Sequence, residues 1–363
     1  MNARVDIAVV GAGAAGLAAA VCAARAGANT LLVDARSAPG GTGGFSGLTT
    51  LCGLYDDAGN FLNEGFAREF AEALTERGAP LRMGRVWVLP YRPEKFREVA
   101  AQLVAATPKL RVQWSAPLKE VICESERITK LNGIAVGAVI DCTGTAEIAT
   151  TIGVETFATD ESTQASAVIF PLRHVARALG TAADMAQVLL PLARAGFPPL
   201  NLQASPGGGE FTAKFAGTPE QVPQLLTFLR NNVPGFEQCD APQQEFTLSR
   251  RAGRMIVGQY VLSGPDVLAG RKFPDAVARC AWPIEQWDAK GAVRFKYLPA
   301  GKHYEIPARA LRAAQVENIF MAGKTLSADV DAIASARVMG CCLATGAAAG
   351  VLAAKFVNSS RIR

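Results

Sequence analysis

A run of mostly β-branched residues, 5–10, leads directly into Gly11-Ala12-Gly13-Ala14-Ala15-Gly16, and an alanine-rich stretch then continues to about Ala26. No other part of the chain restricts the fold as tightly. In a strand-to-helix turn of this spacing, the first glycine allows the bend, the second lets a ligand approach the backbone, and the third lets helix and strand pack closely. Gly27 closes the helix, and residues 30–33 predict a second buried strand ending on Asp34. This is one βαβ unit. Free N–H groups at the helix start attract an anion, and an acidic residue at the end of the second strand accepts hydrogen bonds from ribose hydroxyls. A dinucleotide is the expected ligand.

Past Asp34 a second glycine-rich loop, 39–47, precedes a helical pattern over 61–77 that stops at Gly78, and another over 94–106. Short strands are expected over 112–114, 120–123, 128–131 and 135–140, with Asn132-Gly133 as the hairpin turn between the last two. The texture changes at residue 156. Prolines multiply up to 302, a glycine loop occupies 205–209, and β-like stretches occur at 166–172, 211–215 and 245–249. Residues 316–321 return to a buried strand, and the uncharged segment 338–354 makes a closing helix. The expected architecture is an α/β, Rossmann-type domain over 1–155 and 305–363, interrupted by an inserted α+β substrate domain over 156–304.

Composition removes several classes of function. Lys and Arg total 37 against 32 Asp and Glu, a net +5 with no basic run, which argues against nucleic acid. None of the eight cysteines forms a C-x-x-C pair, so neither a metal site nor a disulfide framework is expected, and a reducing, cytoplasmic compartment is. The adjacent Cys341 and Cys342 are expected to serve helix packing. Two uncharged stretches, 7–24 and 338–354, are built on Ala and Gly. Core elements explain that composition better than a membrane span or a signal peptide does.

The order of segments resembles the glutathione-reductase-like flavoproteins, and within them the FAD-dependent oxidoreductases. The likeness rests on Val10 to Gly16 with Asp34, on Gly40-Gly41-Thr42, on Val139-Ile140-Asp141-Cys142-Thr143-Gly144-Thr145, and on Ala322-Gly323-Lys324 with 334–340 and 346–350. It also touches Ser249-Arg250-Arg251 and Gly258-Gln259-Tyr260. The resemblance implies FAD as cofactor. Gly11, Gly13, Ala14, Ala15 and Gly16 would form its phosphate turn, with Gly41 and Thr42 also against it. Asp34 would meet the adenosine ribose, beside Ala35 and Arg36. Thr143 and Gly144 would pass close to the cofactor, and Gly323 would offer its backbone to the pyrophosphate or ribityl chain. Related enzymes often carry Asp after that glycine; here Lys324 stands instead, facing the phosphates or solvent. A closing helix that begins with Val338, Met339 and Gly340 would aim its positive end at the flavin pyrimidine, and Arg337 would add a full charge there.

The chain has two histidines. His303 stands beside Tyr304 at the return from the insertion, where a cleft between domains would place either as general acid or base; His174 is expected to be structural. Arg250, Arg251 and Arg254 cluster around Gly253, and guanidinium groups pair well with carboxylates, which points to an anionic substrate. Cys52 follows the glycine loop, either as a small apolar residue or as a thiol near the flavin. The expected activity is hydride exchange between flavin N5 and a small organic substrate. A flavin-binding electron-transfer or accessory subunit without its own substrate is the competing reading, and an oligomer is compatible with both.

Overall fold

The computed structural model describes residues 4–75, 79–159, 162, 164–204, 210–241, 246, 248–288 and 293–362. The expected helix end at 77–78, the loop 205–209 and residue 245 lie outside the described residues. The chain enters through β1 (Arg4–Val10), bends at Gly11 into α1 (Ala14–Arg25), and returns as β2 (Thr30–Val33), parallel to β1. The second glycine stretch is not a plain loop: it winds one helical turn, α2 (Gly41–Phe45). The helix expected over 61–77 is shorter, Phe66–Ala73, because Phe61 bridges Tyr55 and the Leu62 N–H donates to the Leu54 carbonyl at 2.9 Å. Next come β3 (Leu110–Gln113), parallel to β2, and an antiparallel run of β4 (Val121–Glu124), β5 (Arg127–Leu131) and β6 (Ile134–Asp141). Asn132 and Gly133 take φ of 47° and 75°, as the expected tight hairpin requires.

A second sheet follows. It comprises β7 (Ala167–Leu172), β8 (Leu200–Ala204), β9 (Phe211–Phe215) and β10 (Leu248–Ser249), all antiparallel, in the order β8-β9-β7-β10. Two helices that the sequence reading did not separate, α3 (Ala182–Arg194) and α4 (Val222–Asn232), pack with it. Their apolar faces close a core of Val168, Phe170, Phe215, Leu225, Leu229 and Phe236. Pro191 inside α3 and the prolines around α4 obscure the helical period, although Thr181 and Asp184 form a capping box. Farther on, Met255, Val267, Cys280, Tyr304 and Ile284 of β11 (Ile284–Trp287) are buried in the main core. The separate core therefore stops well short of residue 304.

The last strand, β12 (Ile319–Met321), lies parallel to the far end of β6, completing a seven-stranded sheet ordered β3-β2-β1-β6-β5-β4 with β12 on β6. After α5 (Val330–Ala336) the chain ends in α6 (Met339–Ile362), which begins at the expected place and runs beyond 354. A Cβ on Gly346 would lie 2.1 Å from the Ala15 carbonyl oxygen, and one on Gly350 2.3 Å from that of Ala19. The two uncharged segments are thus paired helices touching backbone to backbone. By length and composition α6 could cross a membrane, yet 67% of its most apolar window is buried inside the molecule. One cysteine expectation is corrected. Cys341 turns away from its neighbour and is disulfide-bonded to Cys280, 61 residues earlier, with Cα atoms 6.1 Å apart; that separation leaves no pattern in the sequence.

Candidate functional site

A cavity of about 450 Å³ follows the C-terminal edge of the parallel strands, lined by Val10 after β1, Cys142 after β6 and Ala322 after β12. This edge is where ligands bind in open α/β sheets. The first glycine turn is shaped by exclusion. Gly11 has φ +96°, and a Cβ there would lie 2.5 Å from the Cys142 carbonyl oxygen; one on Gly16 would lie 1.6 Å from that of Gly11. Gly13 differs, since its nearest neighbour would be the Gly41 Cα at 3.9 Å, so its outer face is open to the cavity. Asp34 accepts the Ala12 N–H at 2.5 Å and the Arg36 N–H at 2.7 Å, holding the turn to the end of β2.

Asp34, Ala35 and Arg36 line one end of the cavity; Gly13, Ala14, Ala15, Gly41, Thr42, Thr143 and Gly144 line its length with Gly11; Gly323, Val338 and Met339 line the other end. Gly16 and Gly340 are not in the wall. Each serves packing, Gly340 because a Cβ would come within 2.4 Å of the Gly53 backbone. Beneath the turn after β6, Asp141 accepts the Thr143 N–H at 3.0 Å, the Thr143 hydroxyl at 2.8 Å and the Ile148 N–H at 3.1 Å. Burial nevertheless pushes its carboxyl up to about 6, because those bonds only partly offset the loss of water. Lys324 also reaches the cavity, and its ammonium donates to the Arg250 carbonyl at 3.0 Å and the Ala252 carbonyl at 3.4 Å. It ties the turn after β12 to the arginine loop.

The opposite wall comes from the middle of the chain: Ile169 of β7, Lys214 of β9, Arg250, Arg251 and Glu285 of β11. Glu285 accepts the indole N–H of Trp282 at 2.8 Å and that of Trp287 at 2.6 Å. Burial opposes its ionisation, but the charges of Arg337 and Lys214 and the two indoles prevail and hold the carboxyl below its usual range. Arg251 stacks 4.2 Å from the Trp287 ring centre and donates to the Ala165 carbonyl at 2.5 Å. Arg337 donates to Gln164 at 2.8 Å, while its Nε is buried with no hydrogen-bond partner among the described residues. Lys214 lies 5.5 Å above the Trp287 ring, and burial pulls its pKa down.

The family model that matches this chain, over residues 6–194 and 199–362, is described as FAD dependent oxidoreductase. The chain belongs to the FAD dependent oxidoreductase family. Like a geranylgeranyl bacteriochlorophyll reductase-like protein from Thermoplasma acidophilum, this oxidoreductase has a Rossmann-like α/β fold; the two share 13% identity over 99% of this chain and 80% of that one, with a TM-score of 0.52. Against GidA of Aquifex aeolicus the figures are 12% identity, 98% and 64% coverage, and 0.51. At such identities the likeness is one of fold. No curated protein matches the chain. The cavity suits the family's cofactor: Gly13 leaves its face open beside the N-terminus of α1, and the unpartnered Nε of Arg337 awaits an acceptor.

Two proton-transfer candidates of this FAD enzyme lie elsewhere. Tyr304 is fully buried in a strand, Tyr304–Pro307, paired with Ala276–Cys280, and its hydroxyl bonds Ser335 at 2.8 Å. Burial drives its pKa up. His303 is half-buried near Lys272 and Arg279, its pKa lowered by burial, and does not line the cavity. The sequence marks the return from the insertion, yet the return strand joins the main core instead of opening into a cleft. Arg254 bonds Thr156 at 2.9 Å, also outside the cavity, and His174 is exposed 3.7 Å from Asp240. Cys52 does line the cavity, its thiol pushed up to about 12 by burial. Lys214 and Glu285 escaped the sequence reading because a lysine on an alternating strand and a glutamate between tryptophans match no motif.

Proposed function

We propose that this enzyme holds FAD in the glutathione-reductase-like manner along the edge of the main sheet and exchanges a hydride between flavin N5 and a small anionic organic substrate. One observation carries the reading: a continuous cavity joins the glycine turns and Asp34 to the cationic wall of Arg251, Lys214 and Arg337. The main sheet and its core hold the cofactor, and the second sheet with its own core, from Val168 to Cys239, covers the substrate.

Gly13 and the first N–H groups of α1 would hold the pyrophosphate, and Asp34, Ala35 and Arg36 the adenosine ribose. Val338 and Met339 set the start of α6 in the cavity wall, where the helix dipole and Arg337 would favour negative charge on a flavin's pyrimidine edge. The flavin, when bound, supplies the redox chemistry. The chain's own task is to orient the substrate and manage charge, with Arg251 pairing to its carboxylate.

Anaerobic titration of the purified, FAD-loaded protein with hydroxy acids, amino acids, uncharged alcohols and NAD(P)H tests this. Bleaching of the flavin is expected with a carboxylate-bearing compound. Arg251→Ala is expected to keep FAD while weakening that response about 10- to 100-fold, the worth of one charge-assisted hydrogen bond. An equal response to the uncharged analogue, or none to any compound, would sink the proposal.

A further inference from the structure

Lys214 stands at the centre of the second sheet, in register with Ile169 of β7 and Asn201 of β8, and lines the same cavity as Val338 and Met339 at the start of α6. We infer that Lys214 is the substrate's proton carrier: as a neutral amine it takes the proton from the substrate's hydroxyl or amino group during oxidation, and as an ammonium it returns that proton in reduction. The inference rests on the flavin reading above. In oxidation the substrate's C–H bond breaks, its electron pair leaving as hydride to oxidised FAD. The O–H or N–H bond breaks toward the Lys214 Nζ, a C=O or C=N bond forms, and the proton passes from Nζ to solvent.

The other titratable groups in the cavity wall, among the described residues, are committed. Asp34 accepts two backbone N–H groups, Glu285 accepts two indoles, and Glu147 accepts the Thr145 hydroxyl at 3.2 Å. Burial raises the thiols of Cys52, Cys142 and Cys342, the first and last to about 12. Lys324 donates to two carbonyls, and guanidinium groups do not release protons in proteins. Lys214 alone combines access with a tunable proton. Burial favours its neutral form, as do the charges of Arg251 and Arg337, while Glu285 and Cys52 favour the ammonium; the balance is a lowered pKa, the direction that favours a general base. Its placement also narrows the substrate. Arg251 and Lys214 both lie against Trp287 and line the same cavity, so the substrate that fits this proposal carries a carboxylate for the first and a hydroxyl or amino group for the second. The substrate class is a hydroxy or amino acid.

The test uses the full-length, FAD-loaded protein. Competitive acetylation with acetic anhydride across the alkaline pH range, read by mass spectrometry, reports the titration of each lysine without requiring turnover. Lys214 is expected to label with a midpoint below that of the exposed lysines. Lys214→Arg fixes a positive charge beside Glu285 and cannot release a proton. That variant is expected to retain FAD, to slow flavin bleaching by the acid that reduces the wild type ~100-fold or more, and to lose the wild type's rise in rate with pH. A midpoint equal to that of exposed lysines, or bleaching unchanged in Lys214→Arg, overturns the assignment. Wild-type protein that takes up no FAD overturns the flavin reading along with it, so the two failures are distinguishable.

Discussion

Gly16 has no room for a side chain, since a Cβ there would lie 1.6 Å from the Gly11 carbonyl oxygen. Gly16→Ala is expected to push α1 off β1, costing about 3 kcal/mol, at the upper end for overpacking, and releasing FAD; thermal unfolding and the flavin absorbance of the purified variant check both. Asp141 offers a test in pH. Its folded-state pKa of about 6 lies above the ordinary 3.8, so the native state binds more protons than the unfolded chain between these values. Stability is therefore fully present below about pH 4, falls as pH rises toward 6, and levels off above. Asp141→Asn is expected to flatten that slope, which spans at most about 3 kcal/mol, and urea midpoints measured from pH 4 to 7 would show it. The glycine's role could be read from spacing. The aspartate's could not, because its shift comes from burial beneath the turn, a property of the packed molecule.

At the scale of elements, the pairing of α1 with α6 joins the two ends of the sequence. Neither helix has a polar face to mark an inward side, and their composition alone resembles a membrane span. Contact is possible only because Gly346 and Gly350 admit the backbone at Ala15 and Ala19. Gly350→Leu is expected to separate the helices and lower stability by about 2 kcal/mol or more, whereas the neighbouring Val351→Leu, at a site 38% exposed, is expected to change it by less than about 0.5 kcal/mol. Chemical denaturation of the pair decides. Most strands of the main sheet were legible to within a residue or two, since runs bounded by Gly, Asn or Asp leave a clear pattern; the last, expected from 316, starts only at Ile319. Helices α3 and α4 were not, because prolines and short amphipathic runs blur the 3.6 period.

For the whole molecule, the cofactor is expected to act as a staple. The cavity is walled by the main sheet, by the second sheet through Ile169 and Lys214, and by α6 through Met339, so a ligand filling it contacts all three. Saturating FAD at ~100 times its dissociation constant should add about 2.7 kcal/mol to stability. Calorimetry is expected to show a higher Tm for the FAD-loaded protein than for the stripped one. If only the transition of the main sheet moved, the second sheet would not share the ligand.

The sequence by itself determined the β1–α1–β2 unit, the glycine turns, Asp34, the closing helix and a dinucleotide as ligand, whereas FAD came from the family resemblance carried by motifs along the whole chain. These are local: backbone conformation, glycine spacing and helix termini are written within a few adjacent residues. Tertiary structure alone decided the cationic wall, where Lys214, Arg251, Glu285 and Arg337 converge on Trp287 and Gln164 from segments far apart in the chain. It also decided that Tyr304 is core and that Cys341 pairs with Cys280. Such meetings depend on how two sheets and a helix end pack against one another, and periodicity along the chain carries no record of that distance.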